Sequence, residues 1–327
     1  MLTRNRVLVS VRKLDKQVFV RGTSWFWVLL LSSIALILAA CSPANLTPPG
    51  GEVDDLGRAV NIKEIPQRIV SLAPSNTEML FALGLEDKVV GVTEHCNYPP
   101  EALEKEKVGG FSTPDIEKII AVQPDLIFAA DIHKKEVIPA LEERGLTVFA
   151  LAPENLDGIL EDIQIVGKIT GKEEEASELV NRMGNRVKAI TDKTEKLQER
   201  PRVFYITWHD PLWTVGTGTF IHELIEKAGG VNIFQDVTDH KAVDIELVIA
   251  RNPEIIIACT GHGEAEGKPF EWARNEARLQ ATEAIKNKRL HQIDADLVSR
   301  SGPRIVDGLE EFAQFIHPEI FGKPGGN

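Results

Sequence analysis

The sequence predicts an α/β fold of two similar lobes joined by a single long helix, with a ligand cleft between the lobes. The first observation is a repeat: Asp115 to Ala130 returns at Asp244 to Cys259, and 8 of the 16 positions are identical. Each copy reads as a short helix, a proline corner and a buried strand, so one unit is used twice. The second is the alternation of apolar strands with helical stretches, the pattern of a mainly parallel sheet. The third is Lys172 to Arg200, an amphipathic stretch between the copies with no turn residue apart from Gly184. A helix of about 28 residues would be about 40 Å long, enough to cross between lobes. A single rigid connection of this kind implies little closure.

Taken in order, the chain opens with an export signal over residues 1–40. Arg4, Arg6, Arg12, Lys13, Lys16 and Arg21 precede an uncharged run from Trp25 to Ala40, and small residues lead up to Cys41. That is the layout of a secretory signal, and the run is short for a membrane span, which takes about 20 residues. Leu38-Ala39-Ala40-Cys41 resembles a bacterial lipobox, in which Cys41 becomes an acylated N-terminus. Residues 41–60, rich in Pro, Gly and small polar groups, read as a flexible lipid-anchored tether. The remainder divides into an N-terminal lobe (61–171), the interlobe helix (172–200) and a C-terminal lobe (201–327).

Charge and cysteine content narrow the function. The chain is formally −12 and its first 41 residues are +5, which leaves −17 on the mature part. So acidic a body repels nucleic acid and anionic headgroups and favours a basic partner. Besides Cys41 there are only Cys96 and Cys259, one in each lobe; they read as two lone structural cysteines rather than a bridge across the cleft.

In the first lobe, strands are expected at 68–72, 88–92, 125–129 and 147–150. Pro74 to Glu78 supplies a turn and cap for the apolar run 79–84, Thr113 and Pro114 open the repeated helix, and further helices cover 134–143 and 155–170. The second lobe opens with a strand at 203–207. A helix at 220–228 stops at Gly229-Gly230, the repeated helix and strand fill 243–258, and a strand at 290–293 precedes a terminal helix from Pro303 to His317.

Ligand contacts in such lobes belong in loops at the carboxyl ends of strands. Those loops offer Ser75, Asn76, Thr93-Glu94-His95, Phe111, Asp131 and His133 from the first lobe. The second offers Trp208-His209, Trp213, His240, Cys259 to His262 and Asp296 to Arg300. Rings outnumber charges, which suits a large, flat, partly apolar ligand. Trp208 and Trp213 line the cleft or pack a strand edge. His95 and His240 are ligand contacts or ordinary surface histidines. Phe111, beside two glycines, has no obvious core to join. No metal-ion site is expected, because no histidine pair has ligand spacing, although one histidine could be an axial ligand to a metal held in a macrocycle. The usual nucleophile-elbow and phosphate-loop motifs are absent, which favours binding over catalysis. Glu117 and Glu246 occupy one place in the two copies. A first-turn carboxylate gains about 0.3–1 kcal/mol from the helix dipole, but a matched pair on two outer tips also suits a two-fold symmetric partner with basic pockets.

The lines Arg68-Ile-Val-Ser-Leu-Ala-Pro-Ser-Asn-Thr-Glu-Met-Leu-Phe-Ala-Leu-Gly84, Asn97-Tyr98-Pro99-Pro100, Ile116-Glu117 through Pro124-Asp125-Leu126, and Ser299-Arg300-Ser301-Gly302-Pro303-Arg304 carry a resemblance over nearly all of 55–320. The chain resembles the substrate-binding proteins of ABC importers for cobalamin, iron siderophores and haem, most of all the cobalamin-binding members. The resemblance implies a Rossmann-like lobe on each side of a rigid helix and no enzymatic activity. It further implies an extracytoplasmic monomer, no cofactor beyond the transported ligand, and docking of Glu117 and Glu246 to arginines of the permease dimer. The implied ligand is cobalamin or a related corrinoid, held by His95, Phe111, Trp208, Trp213, His240, Asp296 and Arg300, with His95 or His240 as the axial candidate. Within the class, the alternative is haem or a ferric siderophore. Phe111 and His240 stand where the family's cobalamin binder has tryptophans, and His95 where it has a tyrosine.

Overall fold

The computed structural model describes residues 51–261 and 267–323. The expected signal segment, Cys41, the expected tether up to residue 50 and His262 lie outside the described residues. Residues 52–60, assigned above to the tether, instead form a hairpin of β1 (Glu52–Val53) and β2 (Ala59–Val60). Asp54 is the reason: buried, it accepts hydrogen bonds from the backbone of Leu56, Arg58 and Ala150 and from the Arg58 guanidinium. A carboxylate saturated in this way pins the segment to the body.

The first sheet contains β3 (Ile69–Ser71), β4 (Val89–Val92), β5 (Leu126–Ala129) and β6 (Val148–Ala150). Its helices are α1 (Pro74–Ala82), α2 (Ile116–Ala121) and α3 (Val137–Glu142). α4 (Leu156–Thr170) and α5 (Glu173–Thr194) follow. The second sheet contains β7 (Arg202–Ile206), β10 (Val231–Asn232), β12 (Ile255–Cys259) and β13 (Leu290–Ile293). Around it lie α6 (Phe220–Lys227), α7 (Ile245–Arg251), α8 (Lys268–Asn275), α9 (Glu283–Lys286), α10 (Ala295–Ser299), α11 (Ile305–Ile316) and α12 (Pro318–Phe321). β8 (Trp208–His209), β9 (Leu212–Val215) and β11 (His240–Ala242) form a small antiparallel sheet that the sequence did not announce.

Both large sheets are parallel, and both have the same order. β4-β3-β5-β6 and β10-β7-β12-β13 each run second, first, third, fourth along the lobe. The repeat also extends to its corners. Gln123 (φ 48°) and Asn252 (φ 44°) occupy equivalent left-handed positions just before Pro124 and Pro253. Arg68 donates to the carbonyls of Val122 and Gln123, and Arg202 to that of Asn252. Asp125 accepts the Arg68 N–H, and Glu254 the Arg202 N–H. In β5 and β12 every residue is buried, which accounts for their unbroken apolar runs.

Two helix starts differ from expectation. Pro74 opens α1 itself, because its fixed φ suits the first helical position and its missing N–H loses no bond there. Asp115, rather than Thr113, caps α2, accepting from the N–H groups of Glu117 and Lys118.

α5 is 22 residues long, about 33 Å. It ends at Thr194, whose hydroxyl donates to the Lys227 carbonyl, rather than at Arg200; Pro201 disfavours helix in the residue before it. Its inner face, Ala176, Leu179, Met183 and Ile190, is buried. At the α4–α5 corner a Cβ on Gly167 would lie 2.4 Å from that of Ala176, so only glycine permits the approach. One apolar cluster runs from Ile69 and Phe128 through α4 and α5 to Tyr205 and Phe312. Cys96 and Cys259 are buried and free. Among the described residues no helix is long and apolar enough to cross a membrane.

Candidate ligand-binding cleft

A cavity of about 990 Å³ opens where loops from the carboxyl ends of both sheets meet. The residues after β3 (Ala73 to Ser75), β5 (Ala130 to Ile132) and β12 (Thr260, Gly261) all line it. This is the switch-point crevice of an open parallel sheet, formed twice and facing itself. Its size suits a ligand of drug-like dimensions or larger.

Of the expected contacts, His95, Phe111, Asp296 and Arg300 line this cavity. Trp208, Trp213 and His240 are not among its lining residues; they belong to the small antiparallel sheet. There Trp208 pairs with Trp213 across β8 and β9, its indole N–H donates to the Asp210 carbonyl, and His209 lies between Trp208 and Trp272 at ring distances of 4.7 and 6.2 Å. His240 is exposed opposite Val215. Ile132, 52% exposed, projects an apolar surface into the cavity and was missed. An isoleucine between Asp131 and His133, directly after a buried strand, was the available signal.

The Arg300 guanidinium is already engaged. Nη1 donates to Glu78 Oε1 at 2.9 Å and Nη2 meets Asp296 Oδ2 at 2.5 Å. Glu78, on α1 of the other lobe and 2% exposed at its side chain, also accepts from Arg304 Nε at 2.9 Å and Nη2 at 2.6 Å. Arg304 in turn stacks over the Tyr98 ring, 3.8 Å from its centre. The two lobes are thus tied at the cleft base by a buried carboxylate between two guanidiniums. The cavity lining carries Glu94, Asp131, Asp294 and Asp296 against Arg300, a net negative set.

Phe111 is half-buried, its ring edge-on to His133 with centroids 5.6 Å apart. His133 is fully buried, and that burial lowers its pKa, opposed by its hydrogen bond to the Phe111 carbonyl. The Cys259 thiol at the end of β12 is pushed up by burial and donates to the Thr207 carbonyl, which leaves it inert. Among the described residues no group of three or more His, Cys, Asp and Glu is arranged to hold a metal ion.

A family model described as periplasmic binding protein matches residues 69–297, the span that contains both sheets and nearly all of the cleft. The chain belongs to the periplasmic binding protein family. Members of this family carry a transported ligand rather than a resident cofactor. Among curated relatives, an uncharacterized ABC transporter substrate-binding lipoprotein, YvrC of Bacillus subtilis, is 33% identical over 314 residues, covering 90% of this chain and 97% of the relative. The crystal structure of the periplasmic vitamin B12 binding protein BtuF of Vibrio cholerae aligns with TM-score 0.67 at 30% identity, over 80% of this chain and 99% of that one. That of a possible iron-binding (periplasmic solute-binding) protein from Staphylococcus epidermidis aligns with TM-score 0.68 at 31% identity, over 78% and 100%.

Proposed function

We propose that this chain is the extracytoplasmic lipoprotein of an ABC importer, which captures cobalamin or a related corrinoid and delivers it to the permease dimer. The observation that carries the choice of ligand is the charge of the cleft: four carboxylates face a single guanidinium that Glu78 and Asp296 already hold. Haem brings propionates, and ferric siderophores are commonly anionic. At an effective dielectric of about 20, one unbalanced carboxylate about 8 Å from a ligand anion costs about 2 kcal/mol before screening, roughly thirtyfold in affinity. The amide-edged corrin of cobalamin avoids this cost, and cobinamide, which lacks the nucleotide phosphate, is a cation. Phe111, Ile132, Leu151 and Pro153 supply apolar surface for the ring, and His95 is the candidate axial contact.

In this reading Trp208, Trp213 and His240 remain ligand contacts only if the ligand extends beyond the cavity onto the small sheet. α5 acts as the interlobe strut, its apolar face packed into the cluster shared by both sheets, so that closure is small. The protein works as a monomer tethered through Cys41. Calorimetric titration of the chain without its first 41 residues tests the ligand: heat is expected with cyanocobalamin and cobinamide and none with haemin or an anionic ferric catecholate. Silence with both corrinoids sinks the reading.

A further inference from the structure

We propose that His133 is the positioning residue of the cleft, setting Phe111 and the 130–132 segment as one continuous wall. The two segments come from different connections, the loop between β4 and α2 and the turn after β5. No sheet ladder joins them; the His133 ring does. Its Nδ1 accepts the Ala130 N–H at 2.9 Å, and its Nε2 lies 2.7 Å from the Phe111 carbonyl. Because Nδ1 is an acceptor, the proton sits on Nε2 and is donated to that carbonyl, so one neutral tautomer satisfies both sides.

The contact is placed where it matters for binding. Phe111 follows Gly109 (φ 101°) and Gly110, which give its backbone little restraint of their own. The Gly109 carbonyl accepts the Glu94 N–H at 2.9 Å, so the same loop reaches the segment that carries His95. The buried imidazole therefore joins the Phe111 loop to Ala130–Ile132 directly, and the Gly109 carbonyl carries that link on to the wall segment of Glu94 and His95. His133 is itself absent from the lining, so it acts on the ligand through Phe111 rather than by contact. The inference rests on the corrinoid reading only for the choice of probe.

The two bonds can be separated by substitution. In His133→Asn the amide oxygen takes the place of Nδ1 and keeps the Ala130 bond, while nothing reaches Phe111. In His133→Gln the terminal amide reaches the place of Nε2 and restores the donation to the Phe111 carbonyl. For the full-length chain in detergent, titrated with cyanocobalamin and cobinamide, the expected result is an affinity loss of about tenfold for Asn and recovery to within about threefold for Gln. A second arm needs no ligand. With 4-fluorophenylalanine incorporated and the Phe111 ¹⁹F resonance assigned through Phe111→Leu, the Asn variant should shift or broaden that resonance and the Gln variant should return it. Unchanged Phe111 resonances in both variants overturn the proposal, as do Asn and Gln losses that simply track thermal stability. Wild-type silence toward both corrinoids with the expected ¹⁹F pattern overturns the ligand reading and leaves the positioning role standing.

Discussion

Asp162 and Glu78 are carboxylic acids with almost no exposure, and their neighbours give them opposite roles. Asp162 lies on α4 with Oδ2 lacking a hydrogen-bond partner, and burial, with the charge and hydrogen bond of Asp55 added, raises its pKa to about 9. Glu78 instead meets two guanidiniums and ties the lobes together. The folded pKa of Asp162 is above its unfolded value of 3.8, so the folded state binds more protons between the two values. Its contribution is fully present below pH 3.8 and is lost as pH rises toward about 9. Asp162→Asn should therefore stabilise the protein more at pH 8 than at pH 5, by up to about 4 kcal/mol in urea unfolding for about three pH units inside the linkage window; an equal effect at both values would refute the assignment. Part of this was legible. Leu156, Ile159, Ile163 and Val166 mark the inner stripe of α4, and position 162 falls on it. The burial of Glu78 was not, because its partners lie over 220 positions away, and neither was the role of His133, since a histidine's tautomer depends on neighbours brought in by the fold.

At the scale of elements, the two copies of the Asp-Ile-Glu segment share a backbone and differ in their caps. Asp115 accepts two N–H groups at the start of α2, whereas the Asp244 side chain caps nothing at the start of α7. Asp115→Ala should cost about 1 kcal/mol of unfolding free energy and Asp244→Ala clearly less; equal losses would mean that both caps form in solution. On the inward side, Ile116 in the first copy and Ile249 in the second pack partly buried against the core clusters. Ile119 is fully buried in the first copy, and Ile245 and Val248 are buried in the second. Periodicity located these helices, but their rotation about the axis was set by the sheet beneath them. Strand positions were legible because four- to five-residue apolar runs suit a sheet covered on both faces. The antiparallel sheet of β8, β9 and β11 escaped notice because its strands are two to four residues long and one is wholly exposed.

For the whole molecule, the proposed transport cycle requires an anchor, a cleft and a docking surface. Glu117 and Glu246 remain 80% and 74% exposed at their side chains, with Arg144 and Arg278 at 3.9 and 3.5 Å, contacts of little energetic weight in solvent. Both acids are thus free to exchange these arginines for basic pockets on a permease. Glu117→Arg combined with Glu246→Arg should abolish uptake in cells while corrinoid affinity stays at the wild-type value, and a parallel loss of affinity would move the pair into the binding site. Cys41→Ser should release the protein from membranes into the soluble fraction; retention would point to an uncleaved helix.

The sequence by itself determined that the chain is a duplicated α/β unit with strands in their places and acids matched across the copies. These are properties of local pattern and repetition, and they survive without knowledge of contacts. Tertiary structure alone decided which loop residues share the cavity. It joined Phe111 to His133, added Ile132, left Trp208, Trp213 and His240 on a separate sheet, and engaged Arg300 with a carboxylate from the opposite lobe. The physical reason is that a loop's direction is set by packing and hydrogen bonds to distant segments, which leave no periodic trace in the residues of the loop itself.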